Sequence, residues 1–331
     1  MMKSGLRATI LLFLAGLFTL GTMGCASSPN RQQSLLQASE YRKIMERQKA
    51  EIAAEQKAAQ KVPELNADGY EMLGDRYISQ GNTTQAFIQY AKSLELDPTR
   101  QRVRYKIGTL YLERGLKEEA KKEFQEILKA DPENGAACEG MGRVYFQSGE
   151  YAEAEKNFHR AIQINPSLWQ AFNHLGVLYD RQGKYDEAIA QYKKAISLQP
   201  STGLLYNNLG VSLLLKGEHE KAVAAFTEAV KLKTSNPKIY NNLALGLAKL
   251  DRYPEALEAF KKAGDEATAH YNLGCLYMAR GRTKEAIQAF EKAIELKPGF
   301  YVQAHQKMKN AKEALSLQDT ASQPPPGGLR F

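Results

Sequence analysis

The feature that most constrains the fold of this 331-residue chain is an internal repeat with a period of 34 residues. A small residue, preceded by an apolar residue and followed three positions later by tyrosine or leucine, returns at this interval as Gly74, Gly108, Gly142, Gly176 and Gly210. Ala244 occupies the next slot, and Gly274 follows 30 residues later. Seven copies in register predict an array of one small unit that buries its apolar face against its neighbours. The repeats are 67–100, 101–134, 135–168, 169–202, 203–236, 237–266 and 267–300.

Each repeat is predicted to form two short helices, called helix A and helix B here, joined by a tight turn. On helix A, the apolar residues are spaced by three and four positions and therefore share one helical face. Helix B carries an alanine and, four residues later, an aromatic residue, a small-and-large pairing that lets two helices approach closely. A proline predicts the end of helix B in five repeats: Pro98, Pro132, Pro166, Pro200 and Pro298. Glycine predicts a turn with positive φ at Gly81, Gly115, Gly149, Gly183, Gly217 and Gly281, with Asp251 as the exception.

These residues resemble the consensus of the tetratricopeptide-repeat family, which places Leu-Gly, Tyr, Ala, an aromatic residue and Pro at the same slots. The resemblance covers residues 67–300. It implies an all-α fold, a right-handed superhelical solenoid of seven helix-turn-helix repeats. The consensus residues are structural, so the resemblance specifies the fold far better than the function.

The last two repeats and the C-terminal region depart from this pattern. In the sixth repeat Ala263 is followed at once by Gly264 and Asp265, so helix B should lose its last turn and the regular step to the seventh repeat should be broken. Residues 301–317 have an apolar stripe on a polar helix, which predicts a capping helix over the last repeat. Residues 318–331 contain a proline and glycine run, and we expect a disordered tail.

Residues 1–24 have the form of a secretory signal peptide, with a basic start, an apolar core and small residues before Cys25. The Gly24-Cys25 pair resembles a bacterial lipobox, which implies acylation of Cys25 and, with Ala26 and Ser27 after it, an outer-membrane anchor facing the periplasm. Thr22 departs from the motif, and the alternative is ordinary cleavage after Ala26. Residues 25–66 are predicted to be a polar tether with a solvated helix over 40–61. That helix could instead bind a partner.

No constellation for catalysis or metal binding is visible in the sequence. The five histidines form no HExxH pair, and phosphate-binding or nucleophile-elbow motifs are absent. We therefore expect no enzyme, no metal and no cofactor. The formal charge of +8 is spread along the helices, and we infer no nucleic-acid binding from it. The two remaining cysteines, Cys138 and Cys275, fall in distant repeats and should not pair.

The remaining candidate is the concave face, which in the family that the chain resembles is lined mainly by the second, fifth, sixth, ninth, twelfth and thirteenth residues of each helix A. We expect these positions to be free of packing duties. In repeats 4 to 7 this face is rich in asparagine and small apolar residues. Asparagine both donates and accepts hydrogen bonds, so a row of asparagines matches the backbone of an extended peptide. This resembles the asparagine ladder of long tetratricopeptide superhelices, although asparagine at the sixth position also occurs for packing. The predicted groove consists of Asn173, His174, Val177, Asn207, Asn208, Val211, Asn241, Asn242, Leu245 and Asn272.

The sequence thus predicts a lipid-anchored periplasmic scaffold that binds extended segments of envelope proteins. Its layout resembles the tetratricopeptide lipoproteins that act as pilotins in type IV and tight-adherence pilus systems. It also resembles lipoproteins that recruit peptidoglycan hydrolases. An envelope hydrolase is the hypothesis of another class. The oligomeric state is left open.

Overall fold

The computed structural model describes residues 40, 42–47, 49–50, 65–232, 236–298 and 302–321. Over this part of the chain helices are the only regular secondary structure. Fifteen of them follow one another from Ala67 to Ala321. Their bounds are α1 Ala67–Ser79, α2 Thr83–Leu96, α3 Gln101–Glu113, α4 Lys117–Ala130, α5 Gly135–Ser148, α6 Tyr151–Ile164, α7 Trp169–Arg181, α8 Tyr185–Leu198, α9 Gly203–Lys216, α10 His219–Lys231, α11 Pro237–Lys249, α12 Tyr253–Ala263, α13 Glu266–Ala279, α14 Thr283–Leu296 and α15 Val302–Ala321.

The predicted all-α fold class is confirmed, because consecutive helices pair as helix A and helix B of each repeat. The described residues form two compact units. The first runs to Thr99 and includes residues 113–116, and the second contains 100–112 and everything from Lys117 onward. In the first unit α1 packs on α2. In the second, each helix B from α4 to α12 also packs on the helix A that follows it, and α14 packs on α15.

The tight turns between helix A and helix B have the backbone that the sequence predicts. Every glycine at the turn slot has positive φ, from 70° at Gly281 to 91° at Gly217. In the sixth repeat Asp251 takes this conformation with φ 58°, the only non-glycine residue described that does so. Its Oδ1 accepts a hydrogen bond of 3.0 Å from the Tyr253 hydroxyl, which helps to hold a side chain where glycine is usual.

The small residue on helix A is required by the aromatic residue on helix B of the same repeat. A Cβ added at Gly176 would lie 2.7 Å from the Tyr192 ring, and one added at Gly142 would lie 2.5 Å from the Phe158 ring. These aromatic side chains are almost completely buried. The 34-residue period therefore records one packing contact made again in each repeat.

The sixth repeat is shortened as predicted. Helix α12 has 11 residues, whereas α6, α8 and α14 have 14 each. It ends at Ala263, and Asp265 caps α13 by accepting a hydrogen bond of 2.8 Å from the Thr268 amide. The Arg282 guanidinium lies 4.6 Å from the Tyr253 ring centre and 4.8 Å from that of Tyr277, joining repeats 6 and 7 by cation–π contacts.

The last helix, α15, covers the seventh repeat. Ala304 and Ala311 are fully buried, and Met308 packs on the cluster around Phe290. The helix extends to Ala321, four residues beyond the predicted cap and into the predicted tail. The signal peptide, Cys25 and residues 322–331 lie outside the described residues, as does much of the tether. Residues 42–47 and 49–50 of the tether are helical, and Lys49 Nζ lies 4.0 Å from Glu95 Oε1.

Candidate functional site

Helix α9 presents an apolar stripe on the predicted binding face. Leu204, Val211 and Leu215 are spaced by seven and four residues, so they share one side of the helix. Leu204 is 48% exposed and Leu215 is 55% exposed, so two leucines of one helix present apolar surface to solvent. Asn207 and Asn208 lie between them on the same side. The fifth repeat therefore combines exposed apolar surface with amide groups.

The asparagines of repeats 4 to 6 bond to one another across repeat boundaries. Asn208 Nδ2 donates to Asn173 Oδ1 at 3.0 Å, and Asn242 Nδ2 donates to Asn207 Oδ1 at 2.8 Å. In both cases the sixth residue of one helix A reaches the fifth residue of the preceding helix A. A longer contact of 3.4 Å from Asn207 Nδ2 to Asn208 Oδ1 connects the two bonds. We call Asn173, Asn207, Asn208 and Asn242 the amide ladder.

The amide ladder corrects one expectation. The predicted face is not free of packing duties at these four positions, because each side chain links adjacent repeats and Asn173 is 6% exposed. The other two predicted asparagines differ. The side chain of Asn241 is exposed and that of Asn272 is half-buried, and neither has a hydrogen bond within the described part of the chain. The ladder thus stops at the shortened sixth repeat.

A charged equivalent of the ladder connects repeats 2 to 4. Glu139 is 1% exposed, and its Oε1 lies 2.6 Å from Nδ1 of His174, again the sixth residue of the next helix A. The Tyr105 hydroxyl donates to Glu139 Oε2 at 2.9 Å, and Arg143 Nε lies 3.9 Å from Oε1. We call these four residues the charged bridge. The His174 ring, a predicted groove residue, also stacks on Phe158 at 5.9 Å.

The charged bridge determines the protonation of its buried members. Burial alone would raise the pKa of the Glu139 carboxyl, but the charges of His174 and Arg143 and the hydrogen bond from Tyr105 hold that pKa below its usual value. Burial and the same carboxylate raise the pKa of Tyr105, which stays a hydrogen-bond donor. A buried carboxylate is therefore kept ionised by its neighbours.

A cavity of about 680 Å³, open to solvent, lies where helices α5 and α7 reach their turns. Phe146 and Tyr151 line it with rings 5.8 Å apart, and Val177 and Arg181 complete the lining on α7. Asp180 also borders it, but the Ser212 and Tyr192 hydroxyls donate to its carboxylate at 2.6 and 2.8 Å. Because Val177 is a predicted groove residue, this cavity continues the predicted groove toward repeat 3.

The structure brings the other predicted groove residues to the same face. Val177, Val211 and Leu245 are half-buried at the ninth position of α7, α9 and α11. Among the described residues no three histidine, cysteine, aspartate or glutamate side chains form a group that could hold a metal ion. No described helix is both long and apolar enough to cross a membrane. Cys138 and Cys275 are both free thiols.

Comparison with known proteins identifies the family. A family model described as "Cilia and flagella-associated protein 70 C-terminal domain", a tetratricopeptide-repeat domain, matches residues 27–272. A second, described as "Tetratricopeptide repeat", matches residues 267–300. The chain belongs to this tetratricopeptide-repeat family. The fold is that of a protein-interaction scaffold.

Two solved structures share the fold of this tetratricopeptide protein. The Cut9–Hcn1 hetero-tetramer of the APC/C matches 75% of the chain with a TM-score of 0.57 and 20% identity, and the chain spans about half, 49%, of that relative's length. PilF of Pseudomonas aeruginosa matches 64% of the chain and 96% of its own length, with a TM-score of 0.51 and 21% identity. No curated protein sequence matches significantly. At these identities the structures establish the fold alone.

Proposed function

We propose that this protein is a lipid-anchored scaffold of the bacterial envelope that captures extended segments of partner proteins along the helix A face of repeats 4 to 7. The observation that carries the proposal is the exposed stripe of α9. Leu204 and Leu215 present apolar surface beside a row of amides, although a helix of a closed core would bury both. A partner segment that covers the stripe removes this surface from water, and each fully buried leucine contributes about 1.5–3 kcal/mol.

The amides beside the stripe set the conformation of the bound segment. Asn241 and Asn272 have donors and acceptors to spare, and a bound backbone needs both in alternation. The amide ladder fixes the neighbouring helices in register, because its members already bond to each other. An extended segment therefore gains backbone hydrogen bonds from the free asparagines and apolar contacts from Val211, Leu245 and the α9 leucines.

The position in the envelope rests on the N-terminal sequence. Acylation of Cys25 would hold the repeats at the periplasmic side of the outer membrane, with residues 25–66 as a tether. Two or more acyl chains give stable anchoring, since each buried methylene contributes about 0.8 kcal/mol. With this layout we assign the protein a pilotin-like role, in which it carries a secretin of a pilus or secretion system to the outer membrane.

The groove is tested by Leu204→Glu with Leu215→Glu in the full chain. We expect loss of the assembled secretin multimer from the outer membrane with unchanged helicity, because the two carboxylates put charge where an apolar segment must lie. Leu296→Glu is the matched control, since this leucine is 39% exposed on a helix B and should tolerate the change. Assembly at the normal level in the α9 variant would show that the groove is not the site.

The anchor is tested separately by Cys25→Ser. We expect the variant to leave the membrane fraction. As a result, we expect the secretin to assemble in a membrane other than the outer membrane. If the variant remains membrane-bound, the lipid anchor is wrong, whatever the groove binds. If the anchor holds but murein hydrolases rather than a secretin depend on the α9 stripe, the adaptor function replaces the pilotin-like one.

A further inference from the structure

We propose that the cavity lined by Phe146, Tyr151, Val177 and Arg181 is a subsite for a carboxylate next to an aromatic side chain in the bound partner segment. We call it the Arg181 subsite. The inference rests on the proposed function, because it places one end of a segment that continues along the groove to α9. It adds the chemistry of that end, which the groove residues alone do not specify.

The shape of the cavity suits an aromatic side chain. Its volume of about 680 Å³ exceeds that of one side chain, and two ring faces, those of Phe146 and Tyr151, are tilted by 49° to each other. Both rings and Val177 are half-buried, so their remaining surface faces the opening. An aromatic ring inserted here meets them edge to face, the arrangement that aromatic pairs prefer.

The charge of the cavity suits a carboxylate. Arg181 is exposed, and its one hydrogen bond in the described structure is a long one of 3.4 Å from Nε to the Tyr151 hydroxyl. No described carboxylate lies within ion-pair distance of it. Arg252 and Arg282 differ, since each is held by two bonds to the glutamate three residues later. The terminal nitrogens of Arg181 therefore remain available for two parallel hydrogen bonds to a carboxylate.

The one acid beside Arg181 does not compete for it. Both oxygens of Asp180 accept hydrogen bonds from hydroxyl groups, Oδ1 from Ser212 and Oδ2 from Tyr192. Burial raises the pKa of Asp180, and the hydrogen bonds from Ser212 and Tyr192 act in the opposite direction. The carboxylate thus belongs to packing between repeats 4 and 5, and the cation beside it is left for a ligand.

The same sign of charge continues along the face. At the six face positions of repeats 4 to 7, Asp180 is the only acid, and the exposed charged side chains are Arg181, Lys238 and Lys249. A segment with acidic residues is therefore attracted beside repeats 4 and 6, and a basic one is repelled there. This argues for a partner segment of acidic and apolar residues that has an aromatic residue beside a carboxylate.

The test uses three fluorescein-labelled nonapeptides with the same leucine and valine centre, which end in Phe-Asp, Phe-Asn or Phe-Lys and are amidated at the C-terminus, so that the Asp side chain is the one carboxylate beside the Phe. Binding to the purified full chain is measured by fluorescence anisotropy. We expect the Phe-Asp peptide to bind about tenfold more tightly than the Phe-Asn peptide, and the Phe-Lys peptide most weakly. Raising the salt concentration should reduce the difference in affinity between the Phe-Asp and Phe-Asn peptides, because the Arg181 side chain is exposed.

Arg181→Gln should bring the Phe-Asp peptide to the affinity of the Phe-Asn peptide and leave the latter unchanged. Lys194→Gln removes one positive charge from the exposed side of α8 and should keep the tenfold preference. Equal binding of the Asp and Asn peptides to the unaltered protein would overturn the Arg181 subsite and leave the groove standing. Failure of all three peptides to bind would reject the groove and the subsite together.

Discussion

The charged bridge and the amide ladder do the same structural task with different chemistry. In both, the sixth residue of a helix A contacts the fifth residue of the preceding helix A: His174 contacts Glu139, and Asn208 contacts Asn173. The charged pair joins repeats 3 and 4, and the amide pairs join repeats 4 to 6. The backbone of a tetratricopeptide repeat therefore fixes the contact, and the side chains decide whether it responds to pH.

The charged bridge and the amide ladder differ in the free energy that is lost when a side chain is left without its partner. A buried carboxylate must keep its partners, because an unpaired buried charge costs several kcal/mol. An unpaired amide costs less, and an amide has spare donors and acceptors that can turn to a ligand. We therefore expect the charged bridge to act mainly as a structural element and the face around the amide ladder to act mainly in binding.

The largest expected effect is that of Glu139→Ala. The change leaves His174, Arg143 and Tyr105 without their shared partner at a site that is 1% exposed. Since the side chains of His174 and Arg143 are 31% and 19% exposed, water screens part of the loss, and we expect about 2–3 kcal/mol of destabilisation. Urea denaturation followed by circular dichroism measures it. A midpoint within error of the unaltered protein would mean that the two regions are energetically alike.

Acid should weaken the charged bridge and spare the amide ladder. The folded pKa of Glu139 lies below the value of about 4.5 for an unfolded glutamate, so its contribution is present above that pH and is lost as pH falls through the lower folded value. The loss of stability at low pH should be smaller than the loss caused by Glu139→Ala, because the protonated side chain still fills its site. Glu139→Gln should flatten this part of the stability profile below about pH 4.5, whereas Asn173→Ala should not.

Breaking the amide ladder should cost less. Asn208→Ala with Asn242→Ala removes two hydrogen bonds between repeats, each contributing about 1 kcal/mol. Alanine returns about half of that by its better helix propensity, so we expect a net loss of about 1 kcal/mol. The denaturation midpoint at neutral pH tests this. A loss as large as that of Glu139→Ala would contradict the distinction between the two regions.

The smallest expected effect on stability is that of Asn241→Ala. This side chain is exposed and makes no hydrogen bond among the described residues, so the change should stay within about 0.5 kcal/mol. The affinity for a partner segment should nevertheless fall by up to about tenfold, because in the proposed groove the Asn241 amide bonds to the backbone of that segment. The melting temperature and the binding affinity are measured on the same variant. A lower melting temperature with normal binding would assign Asn241 to packing instead.

Most of the fold was predictable, because the repeat makes the same packing contact in every copy. The early end of α12 followed from a single departure from the period. The positive φ of Asp251, the exception at the glycine slot, is seen only in the structure. The common face of the predicted groove residues was also predictable, and its role in binding stays a prediction. The hydrogen bonds and ion pairs among the side chains of that face were not predictable, because a carboxylate such as Glu139 on a polar face is usually solvated. A signal for it existed: His174 follows Glu139 by 35 residues, the same separation as between Asn173 and Asn208.

The free amides at the end of the ladder follow from the length of helix α12. The bonded asparagine pairs are separated by 35 residues, whereas Asn241 and Asn272 are separated by 31 and do not bond. The groove thus gains two unsatisfied amides through a missing helical turn, with no change of residue type on its surface. A designer could reverse this by inserting one turn of helix after Lys262. In the longer array Asn241 and Asn272 should form a hydrogen bond, as the other asparagine pairs do. The array should then be more uniform along its length and bind the proposed partner segment less tightly.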